Sequence, residues 1–156
     1  MSRFAKASSW IAALWLAMAG TAGAQAAEGG LYIAGAGFSF EAAAERALAQ
    51  NPAGRRFFLL TLPPEASALR RNALPAQARL RDRVIAAQGV LLVCQRDLDK
   101  GRIDAAQLVP GVVPVRGWPA KGGPQLPAGQ RYFPGEDRSQ LPAANEALRR
   151  LRSTCS

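Results

Sequence analysis

The 156-residue chain contains no histidine. Without an imidazole, serine and cysteine nucleophiles lose their usual general base and zinc loses its commonest ligand. The sequence therefore excludes Ser-His and Cys-His catalysis, and we expect no metal site and no cofactor.

Cysteine is scarce, since Cys94 and Cys155 are the only two in the chain. In an oxidising compartment, a pair of cysteines most often forms a structural disulfide. The count alone leaves open both a structural bond and a reactive thiol.

The chain also lacks an apolar run long enough to cross a bilayer. Residues 10–19 form the longest one, at about half of the roughly 20 residues that a membrane span needs. Arg3 and Lys6 precede this run, and Ala24-Gln25-Ala26 follows it with the small residues of a cleavage site. We expect residues 1–26 to be a signal peptide, the protein to be periplasmic or secreted, and no stable membrane anchor. Cleavage after Ala24 and an uncleaved anchor are the alternatives.

Acidic residues are outnumbered by basic ones, 11 to 20. Removal of Arg3 and Lys6 lowers the net charge from +9 to +7, because every acidic residue follows the cleavage site. The arginines lie among apolar residues at helical spacing, which favours solvated helix faces over a nucleic-acid surface. We expect no nucleic-acid partner. The arginines form three small clusters along the chain: Arg70-Arg71, Arg79/Arg81/Arg83 and Arg149-Arg150-Arg152.

About 130 residues remain after cleavage, the size of one domain with a real core. Strand patterns alternate with helix patterns along its first two thirds. Predicted strands cover residues 31–34, 56–62, 90–93 and 112–115, and predicted helices cover residues 40–50, 75–88 and 145–152. Alternation of this kind indicates a parallel sheet with right-handed crossovers. We predict an α/β fold: a small flavodoxin-like three-layer sandwich with a mostly parallel four- to five-stranded sheet.

Several details of the fold are predicted as well. Residues 56–62 read as a central strand, while Pro114 places the last strand at an edge. The helix over residues 75–88 directs Leu80, Val84 and Ile85 inward. Between residues 117 and 142, which are rich in Pro and Gly, residues 131–133 are the only strand candidate. The predicted core comprises Tyr32, Phe58, Leu60, Leu80, Val84, Leu92 and Val93.

Gly35 and Gly37 lie between a predicted strand and a predicted helix, with Ser39 as the helix N-cap. Such a loop can bind phosphate, because glycines allow close backbone approach and a helix N-terminus attracts anions. The third glycine and the following acid of a dinucleotide site are missing. A simple tight turn is therefore favoured.

Cys94 closes the third predicted strand, and chemistry in open α/β sheets gathers at the carboxyl ends of strands. A following helix N-terminus and Arg96 would lower the pKa of this thiol, whereas Asp97 and Asp99 would raise it. The direction of the net change does not follow from the sequence.

Residues 76–117 resemble the DsrE/DsrF-like family. In that family a helix and a strand lead to a cysteine, and an RGI-D-x-x-L-x-PGV type segment follows. The matching pieces are Ala87-Gln88-Gly89-Val90 before the strand that ends in Cys94, then Lys100-Gly101-Arg102-Ile103-Asp104, then Leu108-Val109-Pro110-Gly111-Val112. The resemblance implies a DsrE-like α/β domain over residues 27–134, usually oligomeric, and leaves residues 135–156 as a C-terminal extension with a short helix. In sulfur-relay members of the family, the cysteine at the position of Cys94 can carry sulfur as a persulfide, and the resemblance implies the same capacity here.

Three hypotheses of function follow. The leading one is an exported DsrE-like domain with a thiol redox or sulfur-carrier role, in which Cys94 and Cys155 are the catalytic residues and the partner is a protein or a sulfur donor. The alternative is a non-catalytic binding or assembly module in which a structural Cys94–Cys155 disulfide fixes the tail to the sheet. A nucleotide-binding enzyme is the third and weakest.

Overall fold

The computed structural model describes residues 28–52, 54–119, 126 and 129–156. The predicted signal peptide, residues 1–26, lies outside these ranges. All four predicted strands and all three predicted helices lie within them.

A sheet of four strands, all parallel, forms the centre of the part of the chain that the structure describes. Its strands lie side by side in chain order: β1 (Leu31–Ala34), β2 (Phe57–Thr61), β3 (Gly89–Cys94) and β4 (Val113–Val115). The predicted α/β fold with a mostly parallel sheet is thus confirmed. As expected, β2 is internal and entirely buried, and β4, which contains Pro114, is a short edge strand.

Within the described ranges, four helices accompany the sheet: α1 (Phe40–Gln50), α2 (Pro75–Ala86), α3 (Gln95–Asp99) and α4 (Asn145–Thr154). Short 3₁₀ turns lie at Glu28–Gly30, Glu65–Leu69, Ala105–Gln107 and Arg138–Gln140. Right-handed crossovers between strands that advance in one direction put α1 and α2 on the same face. The opposite face is covered by α4 and the chain before it, which completes the three layers.

Two hydrophobic cores separate these layers. The first core lies between the sheet and helices α1 and α2. The second lies between the sheet and residues 131–156, which include α4 and which we call the tail. All seven residues of the predicted core are buried. The strands alternate sides, so that Leu91 and Val93 enter the first core whereas Leu92 and Cys94 enter the second.

The predicted inward face of α2 is wrong at one position, because Ile85 is 46% exposed. Leu80 and Val84 are four residues apart, on one stripe of the helix, and both are buried. Ile85 follows Val84 by one residue and therefore lies about 100° further round the helix, outside the narrow contact.

Two arginines that were predicted to be solvated are buried, Arg81 and Arg152. Nη1 of Arg81 donates to the carbonyl oxygens of Ala68 and Arg70, which end the 3₁₀ turn beside α2. Backbone carbonyls that lack a helical partner need a donor, and the long arginine side chain supplies it. The contacts of Arg152 belong to the site described below.

Residues 131–133 form no strand. The backbone N–H of Phe133 donates to Glu136 Oε2, and the backbone oxygen of Arg131 accepts from Arg152. Side chains of the tail thus take up the backbone groups that a neighbouring strand would have bound.

Candidate functional site

Cys94 lies where the sequence places it, at the carboxyl end of β3. It is also the N-cap residue of α3, so the chain enters a short helix at Gln95. Because Cys94 continues the row of Leu92 on β3, its side chain points into the second core, toward α4.

Cys155 is the C-cap residue of α4 and reaches the same place from the other side of the core. The two residues form a disulfide with an S–S distance of 2.02 Å and a Cα–Cα distance of 5.1 Å, across 61 residues of sequence. The structure thus brings both predicted site residues together, and neither is a free thiol.

The disulfide is enclosed by apolar side chains. Cys94 is 0% exposed and Cys155 is 2% exposed, in a core that also contains Leu148 and Leu151 of α4. Thiol–disulfide exchange needs an attacking thiolate to approach a sulfur atom along the S–S axis. An external thiol or sulfur donor cannot reach either sulfur in this conformation.

Charged groups next to Cys94 are engaged with one another. Oδ1 of Asp97, a residue with only 1% of its side chain exposed, lies 3.7 Å from Arg96 Nε and 3.4 Å from Arg102 Nη1. Arg96 Nη1 also donates to the backbone oxygen of Ser156. The arginine expected to act on the Cys94 thiol thus binds a carboxylate and the end of the tail.

A second attachment of the tail was missed from sequence. An added Cβ on Gly117 would lie 2.3 Å from the backbone oxygen of Cys155, so only glycine allows this approach. The next residue, Trp118, donates from its backbone N–H to Ser156 Oγ (2.8 Å) and from its indole Nε1 to Ser153 Oγ (3.2 Å). The sequence shows that residue 117 is a glycine, but it does not show that this glycine contacts Cys155, 38 residues away.

Arg152 is the third attachment and was also missed. Its Nη2 lies 2.7 Å from Glu136 Oε2, and its guanidinium donates to the backbone oxygens of Arg116 and Arg131. The guanidinium also stacks over Phe133, 4.8 Å from the ring centroid. One buried side chain of α4 therefore joins the chain after β4 to residues 131–136.

The glycine loop before α1 is a tight turn. Gly35 and Phe38 exchange two backbone hydrogen bonds of 2.7 and 3.2 Å, and Ser39 caps the helix by accepting from Ala42 N. Glu65 Oε2 accepts from Phe40 N at 2.7 Å. A carboxylate of the chain itself thus lies where a phosphate would bind the helix N-terminus, which disfavours the nucleotide-binding hypothesis.

The sheet offers no reversal of strand order within the described residues, because its strands run β1-β2-β3-β4. In open α/β sheets, ligands bind at the crevice that such a reversal creates. Across the same residues there is no group of three or more His, Cys, Asp or Glu side chains placed to hold a metal ion. No helix of this part of the chain has the length and apolar character that a membrane span requires.

Comparisons with known proteins give no relative. The chain matches no protein-family model, no curated protein and no solved structure. Membership of the DsrE/DsrF-like family therefore stays a prediction that rests on residues 76–117.

Proposed function

We propose that the protein is a non-catalytic binding or assembly module in which the Cys94–Cys155 disulfide fixes the C-terminal helix to the sheet. The observation that carries this proposal is the enclosure of both sulfur atoms in the second core. A carrier thiol must be accessible and partly ionised near neutral pH, and a bonded, buried pair is neither.

The attachments around the disulfide support the same proposal. Gly117, Trp118 and Arg152 hold the end of α4 independently of the sulfur atoms. A thiol that cycles between states needs a segment that moves away and exposes it, whereas this segment is held at several points. Such redundancy suits a permanent covalent link.

The second candidate function is the thiol redox or sulfur-carrier role implied by the family resemblance, in an oligomeric exported domain. The position of Cys94 at the carboxyl end of β3 favours it. In this scheme a polysulfide donor places a sulfur on Cys94, and the Cys155 thiolate attacks the inner sulfur of that persulfide. The persulfide bond breaks, hydrosulfide leaves with the electron pair, and the Cys94–Cys155 bond forms. An external dithiol would reduce it again.

Two single variants, Cys94→Ser and Cys155→Ser, distinguish these functions. For a structural bond, each should lose roughly 4 kcal/mol of unfolding free energy, because both remove the same constraint on a loop of about 60 residues. The double variant should be no less stable than either single variant, since the second change removes nothing further. Urea unfolding measures all three.

Mass spectrometry after polysulfide treatment completes the test. We expect no added sulfur on the wild-type chain, with or without mild reductant, and slow alkylation of both cysteines in the folded state. Persulfide on Cys94 of the folded, mildly reduced protein, formed faster than on a free-cysteine peptide, would refute the structural role and establish the carrier.

A further inference from the structure

Two clefts, each of about 260 Å³, lie beside edge strand β4. The first lies between β4 and residues 134–137, and the second lies between the start of β3 and the residues Pro110 and Gly111, which precede β4. Gln140 lines both clefts, so they adjoin. We call the pair the edge groove.

The dimensions of the edge groove match an extended polypeptide. Its inner wall follows the chain from Pro110 to Arg116, and strand residues advance roughly 3.3 Å each, which gives a length of about 20 Å. Each cleft is partly open to solvent. An extended segment of about six residues would lie in it, whereas a compact ligand would occupy only one cleft.

The free edge of β4 restricts how such a segment is bound. In the described part of the sheet, β4 pairs only with β3. Pro114, at the middle of the strand, has no N–H to offer an added strand. A full backbone ladder cannot form, and recognition falls to the side chains of the groove, which include the amides of Gln88, Gln95 and Gln140. Such amides bind main-chain N–H and C=O groups of any sequence.

Charge indicates where an acidic group of the occupant would lie. The Arg116 guanidinium is exposed and stacks over Phe133 at 5.4 Å, and it has no ionic partner among the residues that the structure describes. Both carboxylates of the same cleft already accept hydrogen bonds from the chain, and that of Glu136 also has an ionic partner. Glu136 is bound by Arg152 and by Phe133 N, and Asp137 accepts from Ser139. Arg116 is therefore available for a carboxylate, and the net charge of +7 that the chain has without residues 1–26 favours an acidic partner.

We propose that the edge groove binds an extended acidic segment of a partner protein, with Arg116 binding one of its carboxylates. This inference rests on the proposed role as a binding module and names the class of its partner.

The test uses the oxidised protein and two blocked hexapeptides, acetyl-Ser-Val-Ser-Val-Ser-Glu-amide and the same peptide ending in Gln-amide. Amide NMR titration of the protein should show shifts along residues 110–116 and 134–140. The Glu peptide should bind about tenfold more tightly than the Gln peptide, as expected for one charge-assisted hydrogen bond.

Arg116→Gln should abolish the difference between the two peptides. The matched control is Arg150→Gln, which removes the same charge from an exposed position on α4 outside the groove and should preserve the difference. Equal weakening in both variants would show general charge attraction and overturn the assignment to Arg116.

Absence of binding, or shifts located elsewhere, would overturn the groove itself, because the proposal depends on the main chain and one carboxylate rather than on a particular sequence. The cysteine variants test the proposed function, whereas the peptides test the edge groove. If they show a structural disulfide and the peptides do not bind, only the groove inference fails. Sulfur uptake by Cys94 would overturn the proposed function whatever the peptides do.

Discussion

Arg152 has an unusual position for a charged residue, since it is wholly buried in a helix of only ten residues. Its charge is tolerated because Glu136 lies against it and two backbone oxygens accept hydrogen bonds from it. Among its nitrogens only Nε lacks a partner. Burial of an ion pair is costly, but loss of one member is costlier, because the other charge then stays without compensation.

Arg152→Ala should therefore destabilise the protein by roughly 3–5 kcal/mol. The control is Arg149→Ala on the same helix, which removes an exposed ion pair with Glu146 and should cost at most about 1 kcal/mol. Urea unfolding of both variants measures the difference. Similar losses would mean that the buried pair contributes no more to stability than the exposed one.

At the scale of secondary structure, β3 contributes side chains to both cores, one on each face of the sheet. Leu92 is buried in the second core, whereas Ile85, of the same size, is 46% exposed on α2. Leu92→Ala should cost roughly 2–5 kcal/mol, because a cavity remains where the side chain was. Ile85→Ala should cost much less, in proportion to the smaller apolar area that it buries. If the two variants unfold at the same urea concentration, β3 is not where the structure has it.

The four strands and the three longer helices were predictable from local patterns, whereas the short α3 was not. The continuous apolar run ending in Leu62 and the four residues before Cys94 gave β2 and β3, and Ser39 with the alanines after it gave α1. Contacts between distant segments were not predictable. Arg152 reads as part of a solvated arginine cluster until residues 131–136 lie against it, and Tyr132 reads as a strand residue until its hydroxyl donates to the backbone oxygen of Pro142.

The candidate site divides in the same way. Cys94 and Cys155 were identified because a chain with two cysteines leaves no other pairing, and the end of a β-strand pattern marks Cys94 as a functional position. Glu65 at the start of α1 could not be foreseen, because its bond to Phe40 spans 25 residues and depends on how the chain folds back after β2.

The close contact between Gly117, which follows β4, and Cys155, at the end of α4, can be tested by substitution. In Gly117→Ala, the added methyl group would overlap the backbone of Cys155, so we expect a loss of stability together with a weakened attachment of α4. The same substitution in a chain that ends at Thr154 should cost far less, because the overlapping backbone is gone. A loss of equal size in both chains would assign the effect to the loop itself.

For the molecule as a whole, the tail is an integral part of the fold, because it packs against one face of the sheet. Residues of the tail, among them Tyr132, Leu141, Leu148 and Leu151, make up six of the thirteen buried residues of the second core. Without them, the apolar side chains of one entire face of the sheet would meet water. The disulfide, Arg152 and Gly117 all act at the end of α4, where a short helix would otherwise fray.

The last prediction concerns where this disulfide forms. A buried cystine persists in an oxidising compartment and is rare in the reducing cytosol, so export, which stays a prediction, would determine whether the Cys94–Cys155 bond forms. The full chain and a chain lacking residues 1–26 should therefore differ when produced in a bacterial host. We expect the full chain in the envelope fraction, with the disulfide formed and an N-terminus near Gln25 or Ala27. The shortened chain should remain in the cytosol with both thiols reduced, as intact mass after alkylation would report. A mature protein that keeps Met1, or full-length chain recovered reduced from the cytosol, would contradict export and would require another explanation for how the tail is oxidised onto the sheet.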